Sequence, residues 1–149
     1  MSARRVRWAR KAAGFSLLEV LVALFVLAIG LLGVAGMQMN ALKTAHSSAQ
    51  KSEATMLAYL MLDAMRADRT AAADGSYNLA EWTCTPPSGG TLPRNNQGYW
   101  LQKAQAMLGT TTCGAIACDG AGNCTVKLRW DDSRAGGSDQ TIFSLTSRL

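Results

Sequence analysis

The chain has little of what most enzyme sites need. It contains one histidine and three prolines in 149 residues. His46 lies in none of the serine, cysteine or carboxylate motifs that indicate nucleophilic catalysis. We therefore predict no enzyme activity and no bound cofactor, and we expect His46 to be a solvated residue on a helix.

Charged residues are also sparse, at 17% against 48% hydrophobic residues. A disordered chain has the opposite profile, with few apolar residues and many charges, so this chain should be ordered. A length of 149 residues is enough for one ordinary domain and excludes a multidomain enzyme.

Acidic residues are absent before Gly14, and the whole basic excess lies there. The formal net charge is +5, and beyond Gly14 ten basic residues balance ten acidic ones. The basic residues of the tail are Arg4, Arg5, Arg7, Arg10 and Lys11. Such a tail beside an apolar run is typical of the cytoplasmic side of a membrane, whereas nucleic-acid binding needs a basic face on a folded domain. We therefore expect no nucleic-acid partner.

Residues 20–37 form an apolar run of 18 residues without a charged or strongly polar side chain. Residues 15–18 extend it, and about 20 apolar residues in a helix cross a hydrocarbon layer of about 30 Å. A secretory signal has a shorter apolar core followed by small residues, but here Ala12, Ala13 and Gly14 precede the core. A twin-arginine export signal is disfavoured because this core is too long and too apolar. One transmembrane helix is the direct prediction.

The junction of tail and run carries a recognisable motif. It consists of Gly14, Phe15, Ser16, Leu17, Leu18 and Glu19. This segment resembles the class III signal of type IV pilins and of type II secretion pseudopilins. The resemblance implies that a prepilin peptidase removes a leader, residues 1–14, by cutting between Gly14 and Phe15, and that the new amine of Phe15 is N-methylated. It also implies a single-pass inner-membrane protein with a cytoplasmic N-terminus and a periplasmic head, which later enters a pilus fibre or its tip.

Glu19 is a carboxylate inside an apolar segment, where such a group is costly and usually functional. On a helix it lies about 6 Å of rise from Phe15, so the mature amine and the carboxylate share a face. In the family this glutamate is thought to pair with the N-terminal amine of a neighbouring subunit during assembly. The alternative is an interfacial glutamate whose side chain simply reaches water.

Helical spacing continues beyond the apolar run. No glycine lies between Gly36 and Gly75 and no proline before Pro86, so one helix from Phe15 to near Arg69 is predicted. Residues 15–37 would be its transmembrane half and 38–73 an amphipathic spine. The apolar residues that we expect to face the strands are Met56, Leu57, Tyr59, Leu60, Met61 and Met65.

Glycines recur at every third position, 30, 33 and 36, in the second half of the apolar run. Glycine weakens a helix interior, and membrane helices use it for close contact with one another. Local melting or tight packing in a fibre and ordinary transmembrane glycine use are equally good interpretations.

The head, residues 74–149, is predicted to contain a loop over 86–96, a short helix over 98–108 and two strands. Residues 124–130 alternate, with Cys124, Val126, Leu128 and Trp130 on one face. Residues 142–149 form the second strand. The predicted fold is α+β and pilin-like, with a long N-terminal helix packed on a small antiparallel sheet.

Cysteine is confined to the head, at Cys84, Cys113, Cys118 and Cys124. In an oxidising compartment these residues indicate two disulfides, and three connectivities are open. We favour Cys118 with Cys124 and Cys84 with Cys113. A zinc site would need CxxC or histidine partners at suitable spacing, so no metal is expected. Residues 119–123, DGAGN, lack the calcium-loop pattern and are predicted to be a turn.

Two classes of function remain open. The first is an assembly protein: a minor pilin that primes or caps a type IV pilus with other minor pilins and the major pilin, or else a type II secretion minor pseudopilin. The second is a single-span membrane protein whose small periplasmic domain is an independent binding module or enzyme. Cleavage distinguishes them, because a permanent anchor would keep its leader.

Overall fold

The computed structural model describes residues 14–149; the basic tail residues up to position 13, and with them most of the predicted leader, lie outside the described part. The chain divides into two compact units, Met1–Met39 and Asn40–Leu149. The helices are α1 (Leu17–Ala67), α2 (Arg69–Ala73) and α3 (Leu92–Leu108), and the strands are β1 (Leu79–Thr83), β2 (Cys113–Cys118), β3 (Asn123–Trp130) and β4 (Thr141–Arg148). A 3-10 turn, Ser133–Ala135, lies between β3 and β4.

The first unit consists of the N-terminal part of α1 and the residues before it. Every described residue from Gly14 to Met39 is exposed, including all the apolar ones. Among the described residues α1 is the one helix that is long and apolar enough to cross a membrane. Its 51 residues agree with the long helix predicted from Phe15 to near Arg69.

The second unit is built on a four-stranded antiparallel sheet in the order β1-β2-β3-β4. Val126 of β3 lies opposite Ile116 of β2 and Leu145 of β4. The alternation predicted for β3 is confirmed, since Cys124, Val126, Leu128 and Trp130 are all buried. The α+β arrangement of a long N-terminal helix packed on an antiparallel sheet is therefore the observed fold.

The sheet has twice the strands that the sequence indicated, because β1 and β2 were not recognised. Most of β2 is small and continuously buried, so it lacks the alternation that marks a half-buried strand. Gly114 of β2 has a specific packing role. A Cβ atom there would lie 2.5 Å from the ring of Trp100, so only glycine leaves room for that indole.

The buried face of the spine agrees with the predicted face only in part. Its buried residues are Ala54, Leu57, Ala58, Met61, Leu62 and Met65, whereas Met56, Tyr59 and Leu60 are exposed. Successive helix residues are separated by about 100°, so Met56 and Leu57 point in different directions although they are adjacent. The prediction was wrong for the three exposed residues and right for Leu57, Met61 and Met65.

Helix α3 begins earlier than predicted, at Leu92, so the end of the predicted loop over 86–96 is helical. Pro93 lies in the first turn, where its fixed φ suits a helix and its missing N–H is not needed. Position 98 inside this helix requires glycine, because a Cβ atom there would lie 2.2 Å from the carbonyl oxygen of Pro87. The buried Trp100 Nε1 donates a hydrogen bond to the Leu57 carbonyl at 3.0 Å, which ties α3 to α1.

Candidate functional site

The Gly14–Phe15 junction is exposed and lies ahead of the first residue of α1. A Cβ atom at Gly14 would meet nothing within 4 Å, and its φ is not in the left-handed region. Within residues 14–149, packing therefore gives no reason for glycine at this position.

Glu19 lies in the first turn of α1, where its negative charge interacts favourably with the positive end of the helix dipole. Its backbone N–H donates to the Ser16 carbonyl at 3.0 Å, and that carbonyl also accepts from Val20 at 3.3 Å. Within residues 14–149 its carboxylate forms no ion pair.

Three glycines, Gly30, Gly33 and Gly36, lie within the uninterrupted α1 helix. A Cβ at any of them would meet nothing within 4 Å. Within residues 14–149 they pack against nothing, although each costs about 1 kcal/mol of helix propensity relative to alanine. The helix is intact through them in the isolated chain.

Apolar side chains remain exposed on α1 in the second unit as well. They are Leu42, Met56, Tyr59 and Leu60, which we call the exposed stripe. Their spacing places Met56 and Leu60 one turn apart on one face, away from the residues that contact the sheet. Sequence reasoning assigned Met56, Tyr59 and Leu60 to the core, because periodicity alone does not say which apolar face is covered.

All four cysteines are in disulfides, Cys84 with Cys113 and Cys118 with Cys124. Cys118 and Cys124 are directly opposite each other across the β2–β3 hairpin. Cys84 follows β1 and Cys113 begins β2, so the other disulfide joins two neighbouring strands. This is the connectivity that the sequence analysis favoured.

Residues 119–123 form the turn of that hairpin. Asp119 Oδ1 accepts hydrogen bonds from the N–H groups of Ala121 and Asn123, and Oδ2 accepts one from the Asn123 side-chain amide at 2.8 Å. These bonds, with the Asn123 side chain the largest cause, lower the pKa of Asp119 below its ordinary value. Both carboxylate oxygens are used within the turn, in agreement with the prediction of a turn.

His46 is exposed on α1, and it lines a cavity together with Gln50 and Asp132. Asp132 is 2% exposed. Sequence reasoning singled out neither Gln50 nor Asp132, since no motif surrounds them. In the part of the chain from Gly14 onward, no group of three or more His, Cys, Asp or Glu residues is placed to hold a metal ion.

Comparison with known proteins gives one match. Residues 9–35 match the family described as the prokaryotic N-terminal methylation motif. The matched segment includes the Gly14–Phe15 junction and Glu19, and it supports a pilin-like chain, either a type IV pilin or a pseudopilin. No curated protein and no solved structure matches the chain significantly.

Proposed function

We propose that this chain is a minor pilin of a type IV pilus that helps to initiate or cap the fibre and takes part in adhesion or twitching motility. The observation that carries the proposal is the methylation motif over residues 9–35, which includes the Gly14–Phe15 junction and Glu19. Residues 19–38 are also similar to the minor pilin PilV, the type IV pilus modification protein. The chain is then a structural subunit and the substrate of a prepilin peptidase, with no catalytic role of its own.

Cleavage at Gly14 changes the electrostatics of the N-terminus. The leader carries all five excess basic charges, so its removal leaves 149 minus 14, or 135, residues with no formal net charge from side chains. An apolar N-terminus without arginines can leave the bilayer and enter a fibre at a much lower desolvation cost. The leader thus fixes orientation in the membrane and is then removed.

Assembly would give partners to groups that have none within residues 14–149. Glu19 would pair with the methylated Phe15 amine of a neighbouring subunit, a charge-assisted contact that sets the register between subunits. The glycines at 30, 33 and 36 would allow close approach of neighbouring helices, as small residues do in membranes. Neighbours in the fibre would also cover the exposed stripe.

A type II secretion minor pseudopilin is the second candidate, because the methylation motif is compatible with both systems. The similarity of AIGLLGVAGMQ, residues 28–38, to PilV favours the pilus. In either system the partners are a prepilin peptidase and other pilin subunits, and the protein resides in the inner membrane before assembly.

Replacement of Glu19 by Gln tests the proposal, because it keeps the size of the side chain and removes its charge. With a prepilin peptidase present, the mass of the Glu19→Gln chain should show loss of 14 residues, and its amount in the inner membrane should equal that of the wild type. Its amount in sheared pili should fall at least about tenfold, which corresponds to about 1.4 kcal/mol of lost attraction.

Glu53→Gln is the matched control, since it removes a carboxylate from the same helix outside the apolar run. It should be processed and incorporated like the wild type. A chain that is not cut where a known prepilin is cut would contradict the proposal as a whole. Equal incorporation of Glu19→Gln and wild type would contradict the pairing role alone.

A further inference from the structure

Strand β4 forms one edge of the sheet, since it pairs with β3 on one side and with no strand of residues 14–149 on the other. Its pairing with β3 keeps one register over all eight residues, from Thr141 to Arg148. The strand contains no proline. A long, regular edge strand of this kind can accept a further strand from another chain.

The backbone groups at the open edge follow from the last hydrogen bond of the ladder. The Leu149 N–H donates to the Gly122 carbonyl at 2.9 Å, and this pair continues the register of Asn123 opposite Arg148. Hydrogen-bonded pairs alternate with non-bonded pairs along an antiparallel ladder, so positions 141, 143, 145 and 147 bond to β3. The residues whose N–H and C=O groups point away from β3 are Ile142, Ser144, Thr146 and Arg148.

The side chains of β4 alternate between two surfaces of the sheet. Phe143 and Leu145 are half-buried and pack against the core. Ile142, Ser144 and Thr146 are exposed on the opposite surface. Side chains directly opposite each other on neighbouring strands lie on the same surface. An added strand with apolar residues at every second position would therefore extend the cover over Phe143 and Leu145.

The other edge of the sheet, β1, is poorly suited to accept a strand. It has five residues, and its register with β2 shifts between Leu79 and Thr83. Trp82 has a φ of 59°, in the left-handed region that regular strands avoid. The Ala80 carbonyl accepts a hydrogen bond from the Thr83 hydroxyl at 2.9 Å. Short and irregular edges resist strand addition, so the two edges of this sheet differ.

Strand directions limit the neighbour that fits. The four strands are antiparallel in sequence order, so β1 and β4 run in opposite directions. A subunit of the same fold and orientation, placed beside this chain, therefore brings its first edge strand antiparallel to β4.

A second copy of this chain fits less well than a different subunit. Its first edge strand would be the irregular β1. An antiparallel β4–β4 pair would reverse the second copy, which two chains inserted in one membrane in the same direction cannot do. A parallel β4–β4 pair would place the hydroxyl-bearing surface of one copy beside Phe143 and Leu145 of the other.

Charge adds a further property of the partner strand. Arg148 is exposed at the C-terminal end of β4 and forms no ion pair within residues 14–149. The strand itself contains no acidic residue. An antiparallel partner begins opposite Arg148, so an acidic residue at its start would form a favourable cross-strand pair.

We propose that β4 is a docking edge for an antiparallel strand of a different subunit in the same orientation. That strand carries apolar residues at alternate positions and an acidic residue at its start. Because β1 is irregular, the chain extends the sheet on one side only. That the partner is a pilin-like subunit rests on the proposed function, whereas the edge depends only on the second unit of this chain.

Titration of the purified full chain in detergent with the capped peptide Asp-Val-Thr-Val-Thr-Val-Thr tests the edge. In the proposed register its Asp lies opposite Arg148 and its Val residues lie on the surface of Phe143 and Leu145. The amide NMR signals of β4 should shift saturably and those of β1 should not. N-methylation of the Thr residues removes N–H groups that face β4 and should weaken binding at least about tenfold. N-methylation of the Val residues, whose N–H groups face away, is the matched control and should have little effect.

Ser144→Pro is the corresponding change in the chain, because it removes an N–H that points away from β3 and leaves the bonds to β3 in place. It should weaken peptide binding at least about tenfold, whereas Ser144→Ala, which keeps the N–H, should bind like the wild type. If Ser144→Pro does not fold, the two methylated peptides still decide. The proposal is wrong if the shifts map away from β4, if both methylated peptides bind alike, or if folded Ser144→Pro binds normally.

Two further measurements separate the partner from the edge. The wild-type chain should sediment as a monomer in detergent; self-association that Ser144→Pro abolishes would make the occupant a second copy and contradict the choice of a different subunit. In cells, Ser144→Pro should be processed like the wild type and depleted several-fold from sheared pili. If Glu19→Gln is depleted and Ser144→Pro is not, the docking role fails and the proposed function stands. An uncut wild-type chain that still binds the peptide at β4 would contradict the proposed function and leave the edge.

Discussion

The two units of the chain differ in whether their apolar side chains are buried. From Gly14 to Met39 every side chain is exposed, whereas the second unit buries a core formed by α1, α3 and the inner face of the sheet. The glycines show the same contrast, because Gly33 has open space around it and Gly114 is packed against Trp100. The second unit therefore depends on its own contacts, and under the proposed function the first would be covered by lipid or by other chains.

The contrast also exists between neighbouring residues of α1, and it gives the largest predicted effect. Leu57 is 1% exposed and Met56 is 56% exposed. Leu57→Ala should lower the free energy of unfolding by about 2–5 kcal/mol, because it leaves a cavity in the core. Met56→Ala should change it by about 0.5 kcal/mol at most. Denaturant titrations followed by tryptophan fluorescence measure both, and similar losses in the two variants would contradict the assignment of the buried face.

The two disulfides should stabilise the second unit unequally. The loop closed by Cys84 and Cys113 has a sequence separation of 29, and that closed by Cys118 and Cys124 one of 6. The chain-entropy relation gives about 4 and about 2 kcal/mol respectively. Paired Cys→Ala variants, one for each disulfide, should show this order in the same titrations. A larger loss from the short loop would show that native packing, rather than unfolded-chain entropy, decides the effect.

Glycine replacement compares the units directly. Gly114→Ala places a methyl group against Trp100 and should destabilise the second unit by about 1–3 kcal/mol, as overpacking does. Gly33→Ala is the matched change in the first unit and should leave that unfolding transition unchanged. Equal free energies of unfolding for Gly114→Ala and wild type would mean that Trp100 can move away from β2.

The smallest expected effect concerns Asp119 and acid. Its pKa is lowered in the folded chain, so its stabilising contribution is complete above its unfolded pKa of about 3.9 and is lost as pH falls through the lower, folded value. The stability difference between wild type and Asp119→Ala should therefore shrink as pH falls from about 5 toward 2. Asn123→Ala, which removes the side-chain amide donor to Oδ2, should reduce this pH dependence, while the two backbone N–H donors to Oδ1 remain. A stability difference that stays constant over this pH range would show that the hydrogen bonds of the turn do not stabilise the ionised form of Asp119.

Several features were predictable because they are local. The apolar run of residues 20–37 and the absence of glycine from 37 to 74 predict a long helix without reference to any partner. The alternation of Cys124, Val126, Leu128 and Trp130 predicts a strand and its buried face. The candidate site at Gly14, Phe15 and Glu19 was readable for the same reason, since it is a continuous segment.

Other features depended on residues that are distant in sequence. The sequence predicted that α3 begins at Gly98, because glycine is uncommon inside a helix. The reason for this glycine, the carbonyl of Pro87 packed against it, is visible only in the fold. Strand β2 was hidden because Gly114 and its small neighbours fit around Trp100 rather than following an alternation. Asp132 carries no motif, and its burial and its hydrogen bond with Ser47, 85 positions away, are visible only in the fold.

The sequence by itself determined the long helix, the N-terminal methylation motif and the strands with a regular pattern, because each is a one-dimensional signal. The tertiary structure alone decided which apolar face of the spine is buried, where the small strands pair and which polar groups lie in the interior. The physical reason is that burial belongs to pairs of surfaces, and a periodic pattern specifies only one of the two. Met56 and Leu57 are equally apolar in the sequence, and only the position of the sheet and α3 separates a core residue from an exposed one.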